Sequence, residues 1–240
     1  MAELIKKIDV DLIVFDLDGT LADSLADLAV AANYTCRRLG LPERSPAEIA
    51  GMIGGGERKF MERLAGPEHQ DLVADCLEIY LAYYSAHCGD LTRLYPGVRE
   101  TLEKLAGKGF GTILSTPEGG SRTAPTGKKL AVLSNKLQRL TERVVETLGI
   151  AHFFAACRGG GAGLALKPSP EPLTALIRDL GAEPGRSLMV GDKPADISTG
   201  RGAGARVAAV TYGYGDLASL RSAAPDFLLA RFDQLADIVA

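Results

Sequence analysis

Four short, mainly apolar runs punctuate the chain: residues 12–15 (Leu-Ile-Val-Phe), 130–133, 187–190 and 207–210. Runs this short, closed by turn-forming residues, predict strands buried on both faces, as in a parallel sheet. Helical spacing fills most of the intervals. After Ser134, apolar residues recur at Leu137, Leu140, Val144, Val145 and Leu148 and stop at Gly149. After Pro170 they recur at Leu173, Leu176, Ile177 and Leu180 and stop at Gly181. Glycine just past an apolar stripe is a helix stop. Strands alternating with helices predict an α/β chain whose sheet is covered on both faces.

Residues 22–93 break this rhythm, with helical pattern and no convincing strand. One stripe is Leu25, Leu28, Ala32, Cys36 and Leu39; another is Leu72, Val73, Cys76, Ile79, Tyr80 and Tyr83. Between them Ser45-Pro46-Ala47-Glu48 reads as a capping box with proline at the first helical position. The segment is therefore expected to be a small all-helical module inserted after the first strand, with Tyr95-Pro96-Gly97 marking the return to the sheet. This divides the chain into a sheet domain, 1–21 with 94–240, and a helical cap, 22–93.

Composition narrows the function. With 46% hydrophobic and 24% charged residues in 240, the chain can bury a sizeable core. A net charge of −3 gives no reason to expect nucleic acid or an anionic membrane as partner. No apolar run approaches the roughly 18 residues of a membrane span, and no leader pattern opens the chain. Cys36, Cys76, Cys88 and Cys157 form no CxxC pair, which suits a reducing, cytoplasmic setting. His69, His87 and His152 are scattered and make no zinc spacing with them.

The chemistry gathers at the ends of the expected strands, where open α/β sheets bind their ligands. Asp16-Leu17-Asp18-Gly19-Thr20 follows the first strand directly. Alone, it is also compatible with a simple turn or a calcium loop, but a calcium loop of the EF-hand type stands between two helices and needs further oxygen ligands. Ser134-Asn135-Lys136 closes the second run. Lys167-Pro168 stands in a glycine-rich loop before a helix. Gly191-Asp192 closes the third run, with Asp196 four residues on. Singly, each is an ordinary cap or turn; the ordered combination is specific.

With these motifs in this order, from Leu12 to Val239, the sequence resembles the haloacid dehalogenase superfamily, in particular its phosphoglycolate phosphatase-like branch with a helical cap. The resemblance implies a Rossmann-like three-layer core with the cap over the strand ends, and hydrolysis of a phosphomonoester. It implies Asp16 as covalent nucleophile and Asp18 as general acid and base, with Mg2+ held by Asp16, the backbone carbonyl of Asp18, and Asp192. Lys167, Ser134 and Asn135 are then the substrate-binding residues, Lys167 as cation and Ser134 as neutral donor on the phosphoryl group. Backbone amides of residues 17–19 complete the cradle, and Asp196 orients Lys167 or a metal-bound water. Such a set suits the reaction, because an anionic phosphate repels a carboxylate nucleophile unless positive charge lies between them.

The substrate expected from the branch is a small phosphorylated metabolite, 2-phosphoglycolate first. Alternatives are a sugar-phosphate or pyrophosphate phosphatase, a hexose-phosphate mutase, and a binding protein that has lost the chemistry. The expected state is a monomer or homodimer. In the cap, residues 54–58 are expected to form the specificity loop, with Arg58 as a carboxylate clamp and Lys59 solvated. One departure from the family stands out: a Pro/Gly/Ser/Thr-rich insertion near 110–127, which offers a rival second strand ending at Ser115-Thr116. Ser134 is preferred because Asn135, Lys136 and the helix after them fit the family better. Lys193 and Pro194 also depart from it, since a small hydroxyl residue is commoner after the motif aspartate.

Overall fold

The computed structural model describes residues 7–107, 128–161 and 163–240. Its centre is a six-stranded parallel sheet in the order β5-β4-β1-β6-β7-β8. Here β1 is Leu12–Phe15, β4 Lys129–Leu137, β5 Ala156–Gly160, β6 Ser187–Gly191, β7 Arg206–Val210 and β8 Phe227–Leu229. The four apolar runs are β1, the first half of β4, β6 and β7. Alternation along them sorts the core into two layers. Ile13, Phe15, Leu130, Val132, Leu188 and Val190 face one side of the sheet. Leu12, Val14, Ala131, Leu133 and Met189 face the other. On the first side pack α5 (Val98–Ala106), α6 (Gln138–Thr147) and α10 (Leu235–Ile238); on the second, α7 (Glu171–Asp179) and α8 (Pro194–Gly202). This is the three-layer α/β architecture expected from the pattern.

Register sets the site. β1 lies between β4 and β6, with Phe15 opposite Val132 on one side and Val190 on the other. The residues that follow these positions come out together at one edge: Asp16, Ser134 and Asp192. The helix expected after Ser134 begins later, at Gln138, because β4 runs on through Leu137. The rival strand at Ser115-Thr116 and the 110–127 insertion lie outside the described residues.

Between β1 and the return to the sheet come α1 (Leu25–Leu39), α2 (Pro46–Met52), α3 (Gly56–Ala65) and α4 (Val73–His87). The capping box forms as expected: Ser45 Oγ accepts from the Glu48 amide at 3.3 Å, and Glu48 Oε2 accepts from the Ser45 amide at 2.8 Å. Leu28, Phe60, Met61 and Tyr80 merge with the first core layer. Two very short strands, β2 (Ala22–Asp23) and β3 (Arg93–Leu94), pair antiparallel where the chain leaves and re-enters the sheet region. Among the described residues, no helix is long and apolar enough to cross a membrane.

The junction is held by one buried carboxylate. Asp27, in the first turn of α1, accepts from the amides of Leu91 and Thr92 and from Thr92 Oγ1, at 2.7 to 3.1 Å. It is only 4% exposed, so removing it would strand buried donors. Asp27→Ala is expected to cost about 3 kcal/mol of folding stability, read as a lower midpoint in urea unfolding. An unchanged midpoint would show that the junction does not depend on it.

Candidate active site

The edge formed by β1, β4 and β6 buries a dense set of charges. Asp16, Asp18, Lys136, Lys167, Asp192 and Asp196 are each at most 9% exposed. Three of the carboxylates, Asp16, Asp192 and Asp196, bring oxygens within 4.8 Å of one another. Like charges this close and this dry need a counter-charge. Lys167 supplies it: its Nζ lies 2.7 Å from Asp16 Oδ1 and 2.7 Å from Asp196 Oδ1, and donates to the Leu133 carbonyl at 2.9 Å.

Local structure explains how these groups meet. Asn135 uses both ends of its amide on the backbone of Lys167, accepting from its N–H at 2.8 Å and donating to its carbonyl at 2.9 Å. Asn135, expected from the sequence among the groups on substrate, lines the cavity, and its side-chain hydrogen bonds fix the loop that delivers the lysine. Asp196 sits in the first turn of α8, close over Gly191, where an added Cβ would collide with the Asp196 side chain. Its Oδ1 takes Lys167 and its Oδ2 takes the Lys193 amide at 3.0 Å, so both oxygens are occupied. Asp192 is approached by Gly19, which has φ +87°, a region favouring glycine, and which leaves no room for a Cβ beside the carboxylate.

The two remaining acids differ in surroundings. Asp192 Oδ2 accepts from the Tyr214 amide at 2.7 Å, but its Oδ1 is buried with no hydrogen-bond partner among the described residues. Burial, with Asp16 and Asp196 nearby, pushes its carboxyl up to about 8. Burial likewise raises Asp16 to about 6, against the pull of Lys167. Asp18 is held by two donors on the same oxygen: Ser24 Oγ at 2.5 Å and Lys136 Nζ at 2.7 Å, both on Oδ1. Lys136 also donates to the Tyr84 hydroxyl of α4 at 2.9 Å. Ser134 Oγ accepts from the Lys136 amide at 3.2 Å, which leaves its O–H available to a ligand.

An orphaned, buried acid oxygen beside a second acid of raised pKa is what a hard divalent cation would satisfy. Asp16 and Asp192 each keep one oxygen without a hydrogen-bond donor among the described residues. The neighbouring turn corrects one expectation: the Gly19 amide donates to the Ala22 carbonyl at 2.9 Å, so it is not free to cradle an anion.

A cavity opens from these groups toward the helical segment, lined there by Ile53, Gly54, Gly55, Gly56, Phe60 and Tyr80, with Lys193 at its side. Arg58 and Lys59 are not part of this lining. They lie 72% and 63% exposed and pair with Glu62, which leaves the expected Arg58 clamp without support. Sequence reasoning gave no role to Lys136, Ser24 or Tyr214, and touched Glu57 only as part of the 54–58 loop. Glu57 is buried, its carboxyl pushed up by desolvation, and accepts from the Leu137 amide at 2.9 Å. For Lys136 a signal existed, a lysine beside the Ser-Asn pair at a strand end; for Ser24 and Tyr214 the contact is made only by folding.

Residues 10–204 match the model of the haloacid dehalogenase-like hydrolase family. The chain is 35% identical over 227 residues to the phosphoglycolate phosphatase of Aquifex aeolicus, covering 95% of each. It is 34% identical over 236 residues to that of Haemophilus influenzae, covering 95% of this chain and 97% of the relative. Among solved structures, a predicted phosphoglycolate phosphatase of Haemophilus somnus 129pt is similar at a TM-score of 0.78 and 29% identity, covering 95% of this chain and 97% of that one. A haloacid dehalogenase-like hydrolase of Streptococcus pneumoniae shares the fold at a TM-score of 0.79 and 23% identity, with the same coverage.

The raised carboxyls make a prediction with a definite sign. For Asp16 and Asp192 the folded value lies above the unfolded one, near 3.8, so the folded chain holds more protons between there and their folded values of about 6 and about 8. Their contribution to stability is therefore complete at low pH and is lost as pH rises through that window. In chelator, the melting temperature should fall between about pH 5 and about pH 8. Millimolar Mg2+ should restore it, most at the upper end, where it displaces no proton. Asp192→Asn should flatten both effects. A Mg2+ shift that survives Asp192→Asn would place the cation elsewhere.

Proposed function

The chain belongs to the haloacid dehalogenase-like hydrolase family, and we propose that it is a Mg2+-dependent phosphomonoesterase that works through an aspartyl phosphate, with 2-phosphoglycolate as its substrate. The observation that carries this reading is the buried acid set at the strand ends, cross-linked by Lys167 and completed by the unpartnered Asp192 oxygen. The Aquifex aeolicus and Haemophilus influenzae relatives are phosphoglycolate phosphatases, which agrees with it. A cytoplasmic setting accords with the four free cysteines, three of them buried. We assign residues 22–93 to a cap and the remainder to the core.

Asp16, Asp192 and the Asp18 carbonyl would hold the cation, which supplies positive charge that offsets the repulsion between substrate and carboxylate. The protein's own groups do the rest. Lys167 sits on Asp16 and is placed to share its charge with a phosphoryl oxygen. The Ser134 hydroxyl donates to another. An oxygen of Asp16 attacks phosphorus, the P–O bond to the alcohol breaks, and Asp18 gives its proton to the departing alkoxide. Asp18, now ionised, takes a proton from water. The hydroxide attacks phosphorus, phosphate leaves, and Asp16 is regenerated. Lys136 and Ser24, both on Oδ1, leave Oδ2 as the oxygen that exchanges the proton.

Asp196 and Asn135 act as positioning residues, one on the ammonium of Lys167 and the other on its backbone. The reading is tested by a panel of phosphomonoesters with Mg2+, comparing 2-phosphoglycolate with a hexose phosphate, pyrophosphate and p-nitrophenyl phosphate. Release of phosphate, with preference for 2-phosphoglycolate, is expected. Isomerised product without phosphate would make it a mutase, and no turnover of any of these would sink the enzyme reading. In the same assay, Asp16→Asn should lower kcat by roughly a thousandfold or more, the scale of losing a covalent nucleophile. A near-normal rate would refute the mechanism.

A further inference from the structure

Three lysines line the cavity, and their charges are balanced unequally. Lys167 is bridged by Asp16 and Asp196, and Lys136 is paired with Asp18. Lys193 forms no ion pair among the described residues. Its Nζ donates at 2.5 Å to the carbonyl oxygen of Ile53, a neutral acceptor on the opposite wall. A cation that faces the substrate cavity without an acid of its own is left with charge for a ligand.

We propose that Lys193 is a specificity-determining residue, binding a carboxylate on the part of the substrate that is not transferred. The inference rests on the phosphatase reading above and extends it to the other end of the substrate. The backbone of Lys193 is fixed inside the acid cluster, next to Asp192 and with its N–H on Asp196. Its side chain crosses from there to the loop before α3, where it runs alongside Gly54. A Cβ at Gly54 would stand 3.7 Å from Lys193 Cδ and 3.8 Å from Nζ, so the loop comes close without crowding the ammonium.

Asp16, Ile53, Gly54 and Lys193 line one cavity, so a phosphomonoester with phosphorus at Asp16 shares that cavity with the Lys193 ammonium. The other groups on that wall, Ile53, Phe60 and Tyr80, offer no cation. Arg58 and Lys59 are not among the cavity-lining residues and pair with Glu62. Exchanging the Ile53 carbonyl for a carboxylate turns a one-charge hydrogen bond into an ion pair, which is the stronger contact. The four-carbon stem lets the ammonium make that move while the backbone stays in place. The substrate class that fits is a short phosphomonoester with a carboxylate a few atoms from the ester oxygen.

The test measures kcat/KM with Mg2+ for 2-phosphoglycolate and for ethyl phosphate, which has the same two-carbon length and an uncharged end. The wild type should prefer 2-phosphoglycolate. In Lys193→Met the ratio of the two values should fall at least about tenfold, the scale of one charge-assisted hydrogen bond, mostly through KM. Lys193→Gln keeps an N–H for Ile53 but removes the charge, and should lose the preference as well; Lys193→Arg should keep most of it. A ratio unchanged in Lys193→Met and Lys193→Gln, whether both substrates slow together or neither does, would overturn the proposal and leave Lys193 as a tether between loop and sheet. A wild type that turns over both esters without preference would also overturn it, while leaving the phosphatase reading intact. Inactivity on both and on p-nitrophenyl phosphate would instead remove the phosphatase reading on which it rests.

Discussion

The ammonium of Lys167, held between Asp16 and Asp196 at 2.7 Å from each, is the contact on which the site depends. Without it, three largely buried acids would stand together with no positive charge between them, and the cost would fall on the fold itself. The surrounding features follow from delivering that ammonium and keeping it there. Asn135 clamps the backbone on either side of it. Gly191 lets the first turn of α8 come down onto the strand end with Asp196. One lysine does not satisfy the whole set, since Asp192 keeps a bare oxygen. That shortfall is the physical basis for a divalent cation, and it separates a catalytic arrangement from a structural ion-pair network, in which every acid would be satisfied.

The helical segment is fastened to the sheet by groups that neighbour the same site. Glu57 of α3 accepts from the Leu137 amide, Tyr84 of α4 accepts from Lys136, and Ile53 accepts from Lys193. Each core partner lies at the end of β4 or just after Asp192. Asp27 ties the start of α1 to the returning chain from the other side. The helical segment and the charged groups of the site thus share hydrogen bonds. The same lysine that steadies Asp18 also donates to Tyr84 of α4.

Much of this was legible in the residues. The central strands announced themselves because strands buried on both faces are short, apolar and uninterrupted. The capping box at Ser45 and the acids and lysine at strand ends were read by local chemistry. What escaped has physical reasons. β5 is Ala-Cys-Arg-Gly-Gly, an edge strand with no apolar run, and β8 is three residues long. The β2–β3 ribbon has two residues a side and exists only because folding brings Ala22 and Leu94 together. The bonds of Asn135 to the Lys167 backbone were not legible, since sequence reveals its type and not the direction of its amide. Arg58 was cast as a clamp on its type alone, and it is largely exposed, pairs with Glu62 and is absent from the cavity lining. Lys193 was noticed as a departure, and its missing counter-ion became visible only when the partners of Lys136 and Lys167 were known.

The central claim, that Asp16 makes a covalent bond to phosphorus, can be tested on the intermediate itself. Enzyme mixed with substrate and Mg2+ is quenched in acid during turnover, reduced with borohydride and digested, and the peptide containing residue 16 is sequenced by mass spectrometry. An acyl phosphate is reduced to the alcohol, so the account predicts homoserine at position 16, dependent on substrate and absent at Asp18, Asp192 and Asp196. Homoserine at another of these acids, or an unmodified Asp16 in a sample that has released phosphate, would contradict it.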